Sequence, residues 1–477
     1  MRKSVVYSTE NSNWYLFDAQ HMFSLLIHPN LVKVYEQSID LDSYYLHKYE
    51  YQKKHGFWGK VEPANIETVF DESIVKENIM QTQQIIFEVT DHCNLKCMYC
   101  SFGELYDFKK KNRKRNINIR YAINLLKFIV SNKLNNKQGK LILSFYGGEP
   151  LMNINFIKKI VDTAHKLNVE GKLDIKFAMT TNATLIHKHI DFLVENKFEL
   201  TISLDGSEAG HSYRTFAKNN QNSFQKVIEN TDMIQRDFPD YFADNVGFYS
   251  ILNNRNSIKD IYEFIYNRYQ KIPMISPINA NNINPDKQYL FELMFQSKRK
   301  SEEEYLKETS NLLPGIREQS PSYVELSRFL RDYSINFYSL NPLFLLYDEI
   351  ILFPTGTCMP FAKKIFLNTS HNLLPCEKIS HKHSMGKVNK NVIIDISGIA
   401  QKYSLYYDKI IKVCKNCYVS RACSVCMFNI ENLDSDDPVC NWFQDRESFI
   451  NKTHRIFSLL EKKPTVFFEI TDKEMIK

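Results

Sequence analysis

Glycine and proline are scarce in this chain, at 14 and 15 of 477 residues. That excludes collagen-like and low-complexity architectures and makes any Gly-Gly pair worth explaining. Charge of one sign is not in excess either. The formal net charge of +6 is too mild at this length to imply nucleic acid as a partner. Long apolar runs are missing. The start, "MRKSVVYSTENSNWY", has no apolar core of signal-peptide length, and "NPLFLLYDEIILF" is interrupted by Asp348 and Glu349 and is too short to span a bilayer. A cytoplasmic protein with no membrane association is the expectation. Finally, no cysteine occurs anywhere between Cys100 and Cys358.

What is present is an ordinary globular balance, 43% hydrophobic and 24% charged. The length points to roughly two to four domains. The ten cysteines form two groups. Cys93, Cys97 and Cys100 lie in "EVTDHCNLKCMYCSFGELY"; Cys358, Cys376, Cys414, Cys417, Cys423, Cys426 and Cys440 lie near the C-terminus. In a reducing compartment such cysteines are metal or cluster ligands rather than disulfides. Three thiolates do not complete a tetrahedral zinc site, and His92 points a different way along an extended chain. A [4Fe–4S] cluster held by three cysteines fits better, because one iron then stays open.

Six apolar runs read as strands: "QIIFEV", "KLILSFYGGEP", "DIKFAMTTNATL", "FELTISLDGS", "VGFYSILNN" and "IPMISPINA". Helical patterns such as "RYAINLLKFIVSNKL" and "NFIKKIVDTAHKL" lie between them. Alternation of this kind predicts a parallel sheet with crossover helices and functional residues at the C-terminal strand ends. Gly147 and Gly148 permit close backbone approach to a ligand there.

The spacing C-x-x-x-C-x-x-C, with Tyr99 before the last cysteine, resembles the signature of the radical S-adenosylmethionine (radical SAM) enzymes. The resemblance implies an α/β fold built on a partial (β/α)6 TIM-like barrel. It implies that the open iron chelates S-adenosylmethionine, and that reductive cleavage gives a 5′-deoxyadenosyl radical that abstracts substrate hydrogen. Gly147, Gly148 and Glu149 match the family's GGEP motif, which contacts the methionine amino group. Tyr99, Asn182, Ser203 and Arg214 are the further cofactor contacts that the resemblance implies, although the spacing from His211 to Arg214 is one residue short. Asp205 also reads as a turn cap before Gly206.

The seven C-terminal cysteines resemble a SPASM domain, which holds two auxiliary [4Fe–4S] clusters, for three clusters in all. Carried over, the family's pairing gives Cys414, Cys417, Cys423 and Cys440 to the second auxiliary cluster and Cys358, Cys376 and Cys426 to the first. "CSVC" has a shorter gap than usual, and His371 stands where a glycine is expected. Two cubes with four thiolates each need one more cysteine than the seven available. The first auxiliary cluster is therefore expected to have an open iron or a non-Cys ligand, with His381 and His383 the nearest imidazoles. Glu377 resembles the proton acceptor of sulfatase-maturing relatives; a surface glutamate is the plain alternative. "KKKNRKR" is either a solvated loop or a contact for an acidic peptide.

The expected organisation is a small winged-helix-like peptide-recognition domain over 1–82, the barrel over 83–290, a helical bridge over 291–350 and the SPASM domain over 351–477. The expected function is a peptide maturase that cross-links or epimerises a ribosomally made precursor, bound through the N-terminal domain. A reductant such as flavodoxin or ferredoxin would supply electrons. Formylglycine formation by an anaerobic sulfatase maturase is the same-family alternative. A non-catalytic iron–sulfur electron carrier is the alternative of another class, and it leaves GGEP and S-x-D-G unexplained.

Overall fold

A computed structural model describes residues 4–19, 23–38, 42–58, 66–106, 115–135, 139–168, 170–308, 315–333, 353–420 and 423–475. The chain forms two compact units. The first comprises Met1–Phe70, Pro321–Thr357 and Gln401–Lys477; the second comprises Asp71–Ser320 and Cys358–Ala400. Most of "KKKNRKR" lies outside the described residues, as does most of "NPLFLLYDEIILF".

In the first unit, β1 (Val5–Ser8), β2 (Trp14–Asp18) and β3 (Phe23–Ile27) form an antiparallel meander. Its residues alternate between two faces, as strand geometry requires. Val5, Tyr7 and Phe17 join a core with Phe329, Phe449 and Ile456 of the helices Pro321–Tyr333 and Arg446–Lys462. Val6, Leu16 and Ile27 pack on Leu31, Val32 and Trp58. The sheet is thus buried on both sides, while among the described residues β3 pairs only with β2 and forms an edge. The periodicity over 43–56 produces the helix Ser43–Lys54, capped by the Asp42 carboxylate on the Tyr44 N–H at 2.9 Å.

The second unit is an α/β layer. Its parallel strands are β4 (Gln84–Thr90), β6 (Lys140–Gly147), β7 (Asp174–Thr181), β8 (Glu199–Ser203), β10 (Val246–Leu252) and β11 (Met274–Pro277), which adjoin in chain order. The short β5 (Leu95–Cys97) and β9 (Arg214–Phe216) pair separately and place Cys97 opposite Arg214. Each expected strand is therefore present and sits beside its sequence neighbour, with crossover helices between. In Ile119–Asn135, Ala122, Leu125, Leu126, Ile129 and Val130 are buried at the 3, 4 spacing of an amphipathic helix.

β12 (Lys364–Leu367) joins this sheet parallel to β4, and β13 (Asn372–Leu374), β14 (Gly386–Val388) and β15 (Val392–Ile394) continue it antiparallel. The buried Glu88 carboxylate fixes the junction by accepting from the Thr369 N–H at 2.8 Å. His371 turns the chain between β12 and β13 with φ +64°. This is the left-handed conformation a glycine would supply, and histidine is among the residues that tolerate it. Its Nε2 accepts from the Asn118 N–H at 3.3 Å, so the turn also docks on the start of the neighbouring helix.

Candidate active site

The cysteine loop, the glycine pair, Asn182 and Ser203 stand at the C-terminal ends of the parallel strands. β4 ends at Thr90 and the cysteine loop follows directly. β6 ends in Gly147, whose φ of +128° is open to glycine alone. A Cβ on Gly147 would stand 2.3 Å from the Thr90 carbonyl oxygen, and one on Gly148 would stand 2.1 Å from that of His92. The Gly148 and Glu149 N–H groups donate to those same oxygens at 2.8 and 3.0 Å. The glycine pair thus clamps the cysteine loop, a reason for it beyond ligand approach.

Glu149 is fully buried. Its carboxylate accepts from the Thr181 hydroxyl at 2.7 Å, the Asn182 N–H at 2.8 Å and the Leu151 N–H at 3.1 Å. Burial pushes its pKa up to about 7, against those hydrogen bonds. Asn182 in turn donates from Nδ2 to Cys93 Sγ at 3.7 Å.

Asp205 is a second hub. Arg214 donates to it from Nε at 2.9 Å and Nη2 at 3.0 Å, the Ile251 N–H donates at 2.8 Å, and the Tyr99 hydroxyl also donates to it. Burial opposes its ionisation, but the Arg214 charge and hydrogen bonds outweigh that and hold the carboxyl below the ordinary carboxylate range. Asp205 therefore does far more than cap a turn: it ties the cysteine loop through Tyr99 to β9 through Arg214. Ser203 is half-buried at the end of β8 and pairs with Tyr249.

None of the ten cysteines is in a disulfide. Burial pushes the Cys93 thiol up to about 12 and raises that of Cys97, and the nearby Cys100 adds to both shifts. The Leu95 and Phe102 N–H groups donate to Cys93 and Cys100 Sγ, both at 3.4 Å. Three half-buried soft donors on one loop fit a [4Fe–4S] cluster. Among the described residues no three His, Cys, Asp or Glu side chains converge as ligands of a single metal ion.

The four cysteines expected to share one auxiliary cluster come together in the first unit. Cys414 has Cys423, Cys417 and Cys440 as electrostatic neighbours, and the Gln444 N–H donates to Cys417 Sγ at 3.4 Å. Of the other expected set, Cys358 and Cys376 lie in the second unit, both close enough to act on the Lys364 charge. Cys426 belongs to the first unit, beside Tyr407. His381 Nδ1 is 3.3 Å from the Asn368 amide, and His383 is buried. Glu377 is held by Lys364 Nζ at 2.8 and 3.1 Å. Burial works against its charge, but Lys364 keeps the carboxyl below its ordinary value. Tyr146, which spacing did not single out, packs on Phe102 and feels Glu377 and Cys100. Its position directly before the glycine pair was the available signal.

Residues 87–265 match the radical SAM superfamily. This chain carries a radical SAM domain. It is homologous to a cysteine-type anaerobic sulfatase-maturating enzyme of Clostridium novyi, 29% identical over 203 residues, which are 41% of this chain and 52% of that protein. It is also homologous to the radical SAM cyclopropyl synthase TigE of Paramaledivibacter caminithermalis, 29% identical over 185 residues, 35% of this chain and 38% of that one. The chain thus spans about half the length of these curated relatives or less. The solved structure described as native anSMEcpe with bound AdoMet and Kp18Cys peptide shares the fold. Its TM-score is 0.50 at 17% identity, covering 82% of this chain and 99% of that one.

Two outcomes follow from the hubs. Asp205→Asn strands a buried guanidinium and should cost about 3–5 kcal/mol in denaturant unfolding. Glu149 has a folded pKa of about 7 against an ordinary 4.5, so its protonated form stabilises the fold below pH 4.5 and that contribution is lost as pH rises through about 7. The unfolding free energy of the wild type relative to Glu149→Gln should fall by about 2.5 kcal/mol between about pH 5 and pH 8.

Proposed function

We propose that this chain is a radical SAM enzyme that modifies a ribosomally made precursor peptide, by a cross-link or an epimerisation. The observation that carries the reading is the three-thiol loop clamped to the GGEP turn at the C-terminal strand ends. Cys93, Cys97 and Cys100 would hold the [4Fe–4S] cluster and leave one iron for S-adenosylmethionine. Together these groups supply one-electron reductive cleavage and a hydrogen-abstracting 5′-deoxyadenosyl radical. The protein's own part is geometric. Gly147 and Gly148 keep the backbone of the turn close to the loop, and the buried Asp205–Arg214 pair holds Tyr99. Glu377, kept ionised by Lys364, is the candidate proton acceptor. Cys414, Cys417, Cys423 and Cys440 supply a full donor set for an auxiliary cluster, and a flavodoxin or ferredoxin is the fitting reductant.

Formylglycine formation is the second reading, favoured by the C. novyi relative. Mass spectrometry of candidate substrates separates the two. A cross-link removes two hydrogens and joins two fragments, an epimerisation leaves the mass unchanged but takes up deuterium from heavy water, and formylglycine carries an aldehyde that hydrazide reagents trap.

Three cubes would give on the order of 12 iron atoms in anaerobically reconstituted protein. Replacing Cys93, Cys97 and Cys100 together by Ala should remove about a third of that iron and all S-adenosylmethionine cleavage; persistent cleavage would refute the assignment. The N-terminal segment is the proposed leader site, reached by strand addition at the β3 edge. Because β1 and β2 share a core with the helices Pro321–Tyr333 and Arg446–Lys462, the clean test is a surface substitution rather than a deletion. Leu26 is 65% exposed on β3. Leu26→Asp should weaken precursor binding about tenfold, a loss of about 1.4 kcal/mol, with reductive S-adenosylmethionine cleavage intact. Unchanged affinity in a fluorescence titration would sink that role.

A further inference from the structure

Asn182 follows the end of β7, where every polar group of its side chain is engaged. Its Oδ1 accepts from the Thr184 N–H at 3.0 Å and the Thr184 hydroxyl at 2.7 Å. A backbone N–H is only ever a donor, so the amide orientation is decided and Nδ2 faces the cysteine loop. There it donates to Asn94 Oδ1 at 2.9 Å and to Cys93 Sγ at 3.7 Å. Asn94 closes the ring by donating from its own Nδ2 to the Thr184 hydroxyl oxygen at 2.8 Å. The Asn182 backbone is pinned separately by Glu149 Oε2 at 2.8 Å.

From this ring we infer that Asn182 is a positioning residue for Cys93, whose N–H···S bond raises the reduction potential of the cluster that Cys93, Cys97 and Cys100 would hold. The inference rests on that proposed assignment and goes beyond a cofactor contact. Its physical basis is charge. Reduction adds an electron to a cluster whose sulfurs already carry negative charge, and a donor aimed at a ligating sulfur stabilises the reduced form more than the oxidised one. The other donor found on Cys93 Sγ, the Leu95 N–H at 3.4 Å, belongs to the loop itself. Asn182 comes from a different strand end, so it couples the electronics of Cys93 to the placement of β7. Glu149 acts one step further back, by holding the Asn182 backbone.

The test is an EPR-monitored redox titration of the anaerobically reconstituted full-length protein, following the cluster whose signal changes when S-adenosylmethionine is added. In Asn182→Ala the reduced-to-oxidised ratio of that cluster at a fixed poise should fall about tenfold, equivalent to about 59 mV for a one-electron couple. Asn182→Asp keeps an acceptor for Thr184 but sets an oxygen against Cys93 and should lower the ratio further. Signals that do not respond to S-adenosylmethionine should keep their potentials in both variants. An unchanged ratio in both would overturn the inference. Should either variant fail to fold, the wild type decides. With asparagine labelled with nitrogen-15 at the side-chain amide, pulsed EPR should show that nitrogen coupled to the reduced cluster, and its absence overturns the inference. A wild type with no cluster responsive to S-adenosylmethionine would instead refute the underlying assignment.

Discussion

Two carbonyl oxygens, those of Thr90 and His92, set the geometry of the strand-end site. Each accepts an N–H from the turn that ends β6, and each stands where a Cβ on Gly147 or Gly148 would collide. The loop that bears the cysteines is therefore pressed backbone to backbone against its neighbour. No side chain mediates the contact, so there is no rotamer freedom to lose or slack to absorb. Glu149 follows immediately, and its carboxylate turns inward to Thr181 and Asn182 rather than out to a ligand. Asn182 then reaches back to Cys93. Three consecutive strand ends are joined in a closed circuit that passes through the Cys93 sulfur. Productive radical chemistry needs reacting atoms fixed to within a fraction of an ångström, and a circuit of this kind provides such rigidity without the cofactor's help.

The Asp205–Arg214 pair secures the loop from its other side. Both side chains are at least nine-tenths buried, which distinguishes the pair from surface ion pairs such as Lys166–Asp162. An exposed helical pair contributes about 0.5 kcal/mol at most, whereas losing one partner of a buried pair costs several times that. The buried pair also has directional content. The guanidinium engages both carboxylate oxygens, the Ile251 N–H takes a further acceptor site, and Tyr99 brings the cysteine loop in. Arg214 lies over the Tyr99 ring, its guanidinium carbon 5.4 Å from the centroid. A neutral substitute on either side would leave the partner charge in a dry site, so position and charge are enforced together.

The six strands β4, β6, β7, β8, β10 and β11 were legible in sequence because each centres on an apolar run with turn chemistry at its end. The cysteine loop and GGEP turn were legible for the same reason: their residue types have few uses other than ligation and close approach. What local pattern does not carry is pairing across long separations. Asp205 looks like a turn aspartate because its partners Tyr99 and Arg214 lie in other segments, and the short β5–β9 ladder that brings them together has only a few residues a side. The union of Val5, Tyr7 and Phe17 with Phe449 and Ile456 is invisible for the same reason. So are β12 itself and its place beside β4, since the four residues "KIFL" are too short a run to single out. His371 shows the converse. An apparent departure from a glycine position is absorbed because the backbone demand is only for positive φ, and hydrogen bonding to Asn118 helps hold the larger side chain.

The long stretch without cysteine has a physical reading in this fold. It contains the C-terminal ends of β6, β7, β8, β10 and β11, five of the six strands that adjoin in chain order, and Asn182, Ser203 and Asp205 stand at or just past two of those ends. A thiol at position 182 or 205 would be a competing soft donor beside the loop, because Asn182 donates to Cys93 Sγ and Asp205 accepts from Tyr99. The polar groups found there instead are amides, hydroxyls and a paired carboxylate, which orient a sulfur without displacing it. Thiols are thereby confined to the cysteine loop and to the C-terminal region. The intervening strands are left to do what their hydrogen bonds show: hold the loop still and determine which of its sulfurs receive an N–H from elsewhere in the fold.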